Sequence, residues 1–242
     1  MSRATVWVIG FGQLVNWGVL YFAYSVLLVP LEQAFDAPRW LVAGAFSLAL
    51  LVSALTAPAV GRLADRGHGP WLVLSGGFAA SALLLIWAAA PHIMTTYLVW
   101  ALLGVCMSAM LYEPVFAIVG RAFGDANDRM RAIATVTVMG GLASSAFLPG
   151  TEALVVRWGW RGAVVALALI TAAMTLVVSR TAFRRDAWSL SVLKDVLSTA
   201  PPAATQVLPG LWQLSLVFAV SAMVNAAVAS NLVAALIDGG IH

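Results

Sequence analysis

The residue with the clearest chemical potential in this sequence is a carboxylate inside an apolar run. Residues 97–119 are apolar or small almost throughout, yet Glu113 lies among them, directly before Pro114. A charged side chain at the centre of a bilayer costs roughly 2.5–3.5 kcal/mol on insertion scales. An acid in such a segment is therefore expected to have a function, such as taking up a proton or facing a polar solute.

The partner of this carboxylate is not evident from the sequence. The other apolar runs contain no lysine, arginine or histidine at comparable depth. Four states remain open for Glu113: protonated at rest, hydrogen-bonded to a tyrosine or asparagine, facing a water-filled cavity, or paired with a group outside this chain. Proton or substrate coupling is the favoured interpretation, and a neutral acid that only packs between helices is the alternative. Pro114 removes one backbone hydrogen bond and can open a bend that lines a cavity.

Polar and aromatic residues in the first and last apolar runs have the spacing needed to share a cavity with Glu113. Those of the first run fall close to one face of a helix, and Ser221 and Asn225 in the last run are separated by one helical turn. Each alone is more often a helix–helix hydrogen bond, but together they predict an aromatic-walled path for a small organic solute. The predicted cavity residues are Gln13, Asn16, Trp17, Tyr21, Tyr24, Tyr112 and Asn225.

Metal, cofactor and enzyme chemistry find no support in the sequence. The single cysteine, Cys106, excludes an internal disulfide, and His68, His92 and His242 are scattered along the chain. The sequence contains neither an H-E-x-x-H motif nor a G-x-S-x-G motif, and the last apolar run has no lysine for a Schiff base. We therefore expect no metal, no cofactor, no enzyme and no retinal protein.

Composition sets the class of protein. Of 242 residues, 62% are hydrophobic and 10% are charged, whereas soluble domains carry about 25% charged residues. The isoelectric point near 9.5 reflects loop arginines and does not indicate nucleic acid. Apolar runs of roughly 20 residues, the length that spans a bilayer, recur along the chain. They predict an all-α membrane protein with seven helices, at residues 6–29, 40–60, 71–90, 95–119, 132–156, 162–178 and 211–236.

The predicted helices fall into three parts. Residues 1–179 form a six-helix half, residues 180–210 a cytoplasmic loop, and residues 211–242 a seventh helix with a short outer tail. The stretch "AWSLSVLKDVL" within the loop has apolar residues on one face of a helix, which predicts an amphipathic helix on the membrane surface. An irregular linker is the equal alternative.

Basic residues are distributed unevenly between the connections. If the N-terminus is cytoplasmic, three of them, Arg39, Arg157 and Arg161, lie outside, and ten lie inside. Inner loops carry an excess of arginine and lysine, so we expect a cytoplasmic N-terminus. The preference for arginine and alanine favours a bacterial inner membrane. The inner basic residues are Arg3, Arg62, Arg66, Arg121, Arg129, Arg131, Arg180, Arg184, Arg185 and Lys194.

Two predicted helices share a pattern. Aligning Pro58 in "SALTAPAVGRLADRG" with Pro149 in "SSAFLPGTEALVVRW" also aligns two serines, two leucines and two arginines. The second and fifth helices correspond in two inverted three-helix repeats, a common construction of secondary transporters, although chance is an equal explanation. Gly140 and Gly141 in the fifth helix are small residues that allow close helix packing or bending.

Residues 61–66, "GRLADR", resemble the signature loop of the major facilitator superfamily, G-x-L-A-D-R. The resemblance implies that Gly61, Asp65 and Arg66, with Arg121, form a latch that holds the outward-facing state. After Arg66 the sequence departs from the pattern, with "GHGPW" in place of further basic residues. The stretches "NWGVLYFAYSVLLVP" and "GWR" are similar to the monocarboxylate and oxalate/formate branch of the family.

The family has twelve helices, and this chain matches the first seven. The resemblance implies proton-linked symport of a small organic metabolite such as a monocarboxylate, by rocking of two halves around a central site. The expected partners are that solute, protons, the lipid bilayer and a C-terminal half in the same gene or another chain. Two alternatives stay open, an efflux carrier for hydrophobic compounds and a truncated fragment that does not transport.

Overall fold

The computed structural model describes residues 2–183 together with Val217 and Val220. Everything below concerns residues 2–183, which belong to the first of two compact units. The predicted seventh helix, the predicted amphipathic helix and Asn225 lie outside the described residues. Within the described range the fold is all-helical, which agrees with the class predicted from composition.

Eight α-helices and two π-helical turns follow one another in the described part of the chain. The first π-helical turn, Gly18–Phe22, joins α1 to α2, and the second, Ala64–His68, joins α3 to α4. The helices are α1 Arg3–Trp17, α2 Ala23–Phe35, α3 Arg39–Leu63, α4 Gly69–Ala88, α5 Ile93–Met110, α6 Tyr112–Ala122, α7 Ala126–Gly141 and α8 Ala143–Thr181.

These elements combine into four long apolar segments. Residues Arg3–Phe35, Arg39–Ala88, Ile93–Ala122 and Ala126–Thr181 are each long and apolar enough to cross a membrane. Such segments identify a multi-pass membrane protein, because about 20 apolar residues span a bilayer. The second and fourth segments, of 50 and 56 residues, each contain one glycine with non-helical dihedral angles, at positions 67 and 159.

Several helix boundaries differ from the sequence prediction. The predicted fifth helix, residues 132–156, is divided between α7 and α8 at Leu142, and two other differences have a local cause. Pro30 was expected to end the first helix, but it lies inside α2, which continues to Phe35 and ends at Asp36 with a φ of 47°. Proline removes only one backbone hydrogen bond, and membrane helices tolerate that loss where neighbours compensate. The polar run "GDANDR" lies between two predicted helices, but α7 begins within it. The Asp125 side chain caps this helix, because it accepts hydrogen bonds from the backbone N–H groups of Asn127 and Asp128 at 2.9 and 3.0 Å.

Close packing between α3 and α5 depends on a glycine. A Cβ atom added at Gly104 would collide with the main-chain carbonyl of Ala49. One turn further along α5, the hydroxyls of Ser108 and Thr56 share a hydrogen bond of 2.9 Å. Small residues and hydroxyls at one interface are typical of membrane helices, where packing and hydrogen bonds replace the hydrophobic effect between helices.

An aromatic cluster forms the centre of the larger hydrophobic core. Trp100 lies 4.4 Å from Tyr24 and 5.1 Å from Trp87, measured between ring centroids. The hydroxyl of Tyr24 donates a 2.6 Å hydrogen bond to the carbonyl of Val42. Tyr24, predicted to line a cavity, is therefore 2% exposed and its polar atom is committed within the core.

The arginine of the "GWR" stretch, which lies within α8, binds the end of α4. Arg161 donates hydrogen bonds to the carbonyls of Ala88 and Ala90, at 2.6 and 2.9 Å. Its guanidinium also lies 4.4 Å from the ring centroid of Trp160. Since the last carbonyls of a helix lack intrahelical partners, this arginine caps the end of α4.

The turn between α3 and α4 generates a matched prediction. Gly67 has a φ of 99°, whereas Gly61 in α3 is helical and an added Cβ there meets nothing within 4 Å. We expect Gly67→Ala to lower the free energy of unfolding by about 1–2 kcal/mol, because a left-handed backbone strains any residue with a Cβ. We expect Gly61→Ala to leave stability unchanged or to raise it by up to about 1 kcal/mol. Thermal unfolding in detergent measures both, and equal shifts would contradict the strained turn.

Candidate functional site

The predicted fourth helix is broken next to its carboxylate. The sequence predicted one helix over residues 95–119, but α5 ends at Met110 and α6 begins at Tyr112. Between them Leu111 is extended, with φ −80° and ψ −151°. Glu113 therefore lies in the first turn of α6 and not in the middle of a long helix. The helix dipole favours an acidic side chain in a first turn.

The break follows from the proline that comes after Glu113. In a continuous helix the carbonyl of Met110 would accept the N–H of residue 114, and Pro114 has none. Within the first turn of a new helix the missing N–H has no cost, since those N–H groups lack intrahelical partners in any case. The helix therefore restarts at Tyr112, so that Pro114 lies in the first turn of α6.

Two amides from α1 take the place of the missing N–H. Gln13 Nε2 donates to the Met110 carbonyl at 2.8 Å, and Asn16 Nδ2 donates to the same oxygen at 3.3 Å. Both residues are buried, at 1% and 6% exposure. These two predicted cavity residues thus support the helix break that precedes Glu113.

An open cleft of about 220 Å³ lies on one side of this break. Glu113 lines it and is exposed, and it forms no hydrogen bond or ion pair with another described residue. Ser53 and Ser108 also line it. In the described part of the chain, the wall contains no lysine, arginine or histidine. The remaining lining residues are Trp17, Tyr21, Leu50, Ala54, Ala57, Met107 and Leu111.

Aromatic rings form one wall of the cleft and support it from behind. The ring centroid of Trp17 lies 5.3 Å from that of Tyr21 and 4.8 Å from that of Tyr112. Tyr112 stacks in turn on Phe116 at 5.0 Å and donates a 3.2 Å hydrogen bond to the carbonyl of Thr137. The indole Nε1 of Trp17 is buried and has no acceptor among the described residues.

The structure thus divides the predicted cavity residues. It brings Trp17, Tyr21 and Glu113 to one cleft and places Tyr112 behind Trp17. Two cleft residues, Ser53 and Ser108, were not predicted for the site. The available signal was their occurrence as small hydroxyl residues within apolar runs, and it did not distinguish helix packing from a cavity wall.

The residues that resemble the signature loop lie at the C-terminal end of α3 and in the turn after it, and Arg121 lies in the last turn of α6. Arg121 donates a hydrogen bond to the main-chain carbonyl of Asp65. A Cβ added at Gly67 would lie 3.6 Å from the guanidinium of Arg121. Arg121 therefore connects the end of α6 to the turn that contains Asp65 and Arg66. The latch function of these residues stays a prediction.

The fifth predicted helix contains a contact that determines where Tyr112 lies. Gly140 is buried, and a Cβ added there would overlap the Tyr112 hydroxyl, whereas a Cβ at Gly141 meets nothing within 4 Å. Pro149 lies further along, inside α8. Gly140 therefore allows the close packing predicted for this helix, and Gly141 is open at the surface of the described structure.

This pair of adjacent glycines provides a second prediction. We expect Gly140→Ala to displace Tyr112 and to lower the free energy of unfolding by about 1–3 kcal/mol, as overpacking does. Gly141→Ala should have little effect, because its methyl group enters open space. Thermal unfolding of the two variants in detergent measures the difference. Equal stability of the two variants would contradict the contact between Gly140 and Tyr112.

Similarity to known proteins completes the description. The sequence profile of the Major Facilitator Superfamily matches residues 6–239. The chain is also similar to Monocarboxylate transporter 11 of Homo sapiens, with 28% identity over 145 residues, which cover 60% of this chain and 30% of the human protein. Members of the superfamily are membrane proteins that transport small molecules. The profile match extends over nearly the whole sequence, so the chain belongs to the Major Facilitator Superfamily.

Proposed function

We propose that this chain forms half of a proton-coupled carrier for a small organic metabolite, a monocarboxylate in the first instance. The observation that carries the proposal is the Glu113 carboxylate, which lines an aromatic-walled cleft and has no partner among the described residues. The similarity to a protein named a monocarboxylate transporter supports the class of substrate. A chain that matches 30% of that protein's length needs further helices to enclose a transport path. We place these in a C-terminal half of the same gene or of another chain.

The proposed half has six crossings arranged as two inverted three-helix repeats. The segments of 50 and 56 residues are long enough for two crossings each, and each changes direction most easily at its non-helical glycine, Gly67 or Gly159. With the shorter two segments this gives six. The distribution of basic residues supports a cytoplasmic N-terminus, and the preference for arginine and alanine supports a bacterial inner membrane.

Coupling follows from the charge of the cleft. An ionised Glu113 repels a substrate carboxylate, and the described wall contains no cation to offset that repulsion. A protonated Glu113 instead donates a hydrogen bond to the substrate, so that the two carboxyl groups share one proton. Substrate and proton therefore enter the cleft together, which is symport. The aromatic wall of Trp17 and Tyr21 contacts the apolar part of the substrate.

Two other functions make different predictions. The mainly apolar lining favours an efflux carrier for hydrophobic compounds, in which Glu113 only carries protons outward. A truncated fragment would transport nothing. The gene sequence beyond the codon for His242 distinguishes a carrier from a truncated fragment. A carrier requires about five further apolar segments there. Export of hydrophobic dyes without uptake of organic acids would identify the efflux carrier.

A substitution of Glu113 tests the coupling. The complete gene product is reconstituted in liposomes, and accumulation of labelled acetate or lactate is measured with an inward proton gradient. We expect Glu113→Gln to abolish accumulation driven by the gradient, because the amide donates a hydrogen bond but carries no proton across. Glu113→Ala should weaken substrate binding about 10- to 100-fold, since a hydrogen bond to a charged group contributes roughly 1.5–3 kcal/mol.

The matched control is Glu152→Gln. Glu152 is also an exposed carboxylate in an apolar helix, α8, but it is not among the residues that line the cleft. This variant should accumulate substrate as the unmodified protein does. Undiminished accumulation in Glu113→Gln would contradict a proton role for Glu113.

A further inference from the structure

A second open cleft lies between the N-terminal parts of α1 and α7, and we call it the α1–α7 cleft. It has a volume of about 410 Å³, within the range of roughly 300–1,000 Å³ that is usual for small-molecule sites. It shares no lining residue with the proposed substrate cleft. The residues that line it are Arg3, Val6, Trp7, Phe123, Asp128, Arg131, Ala132 and Thr135.

The two helices come into close contact beyond this cleft. A Cβ added at Gly10 would lie 3.0 Å from the Met139 side chain. The residues that α1 and α7 contribute to the cleft all precede this contact in the chain. Val6 and Ala132 are buried, whereas the three charged lining residues are exposed. A ligand therefore has direct access to the charged groups.

The cleft lies at the depth of the lipid headgroups. Arg3 is the first residue of one membrane-crossing segment, and α7 begins another at Ala126. At 1.5 Å per residue, Arg131 lies about 8 Å along α7 from that start, and a long arginine side chain extends from such a depth to the headgroup region. Trp7, which is 49% exposed, belongs to the residue type enriched at this interface.

Charge determines which ligand suits the cleft. Arg3, Arg131 and Asp128 form no ion pair with another described residue, so the described lining has one positive charge in excess. Arginine guanidinium groups bind phosphate oxygens through paired hydrogen bonds. We propose that the α1–α7 cleft binds the headgroup of an anionic phospholipid, with Arg3 and Arg131 as the ligands of its phosphate.

The other lining residues favour a lipid over a soluble phosphate compound. Val6, Trp7 and Phe123 are apolar or aromatic side chains beside the two arginines, and they suit the glycerol and the first acyl carbons of a lipid. Asp128 repels a second negative charge, so the site prefers a phosphodiester with one charge to a phosphomonoester with two. A bound lipid connects the ends of α1 and α7, and this role does not depend on the proposed transport function.

Native mass spectrometry of the full chain, purified in an uncharged detergent, measures the binding. The probe is phosphatidylglycerol, and the control lipid is phosphatidylcholine with the same acyl chains, whose headgroup has no net charge. We expect phosphatidylglycerol to bind at least about 5-fold more tightly, the factor that one basic residue near the membrane surface provides. Equal binding of the two lipids would overturn the proposal.

Glycerol phosphate provides the soluble arm of the experiment. It offers a phosphate without acyl chains and with a second charge, so we expect it to compete poorly with phosphatidylglycerol. Competition at equal concentration would show that the cleft takes a soluble phosphate compound, and the lipid would be the wrong ligand.

Two neighbouring arginines of α7 locate the bound lipid. Arg131→Gln should weaken phosphatidylglycerol binding about 5-fold, and Asp128→Asn should strengthen it. Arg129→Gln removes the same charge from an exposed residue that does not line the cleft, so it should leave the affinity unchanged. Equal weakening by the two arginine substitutions would place the lipid elsewhere on the protein, and the site would be wrong. Arg3→Gln, on the other helix, should repeat the effect of Arg131→Gln, and thermal unfolding without lipid checks that each variant is folded.

Discussion

The carbonyl of Met110 is the group on which the described site depends. It loses its helical donor because residue 114 is a proline, and the low-polarity surroundings of a membrane helix make an unpaired carbonyl strongly unfavourable. Gln13 and Asn16 supply the donors from a helix 97 and 94 residues earlier in the chain. This pair of hydrogen bonds ties α1 to the break, and the break in turn brings Glu113 into the first turn of α6.

Close packing then gives the cleft its shape. Gly140 leaves room for the Tyr112 ring, and Tyr112 contacts the ring of Trp17, which forms the cleft wall. On the opposite side, Gly104 lets α5 approach the backbone of α3, which brings Ser108 and its neighbours to the same cleft. Gly140 and Gly104 thus act through packing, and they affect the site by determining where larger neighbouring side chains lie.

Local rules predicted part of this arrangement and missed the rest for a physical reason. The length of the apolar runs predicted the all-helical class, and the isolated Glu113 singled out a residue that lines a cleft, because both signals lie within one segment. The consequences of prolines did not follow from local sequence. Pro30 remains inside α2, whereas Pro114 coincides with a break. At the break, the replacement donors come from a helix that is distant in sequence. Gln13 and Asn16 were predicted to line a cavity, with a helix–helix hydrogen bond as the alternative for each alone. The structure gives both a hydrogen bond to the Met110 carbonyl, an acceptor that was not visible in the sequence.

The position of Glu113 explains how a carboxylate is tolerated in an apolar segment. It is exposed to an open cleft, so its ionised form keeps contact with water, and the N–H groups at the start of α6 favour negative charge. No fixed cation among the described residues holds it in that form. A carboxylate paired with an arginine would stay ionised throughout a transport cycle. The proposed coupling through Glu113 requires an acid without such a partner, and no such partner is present among the described residues.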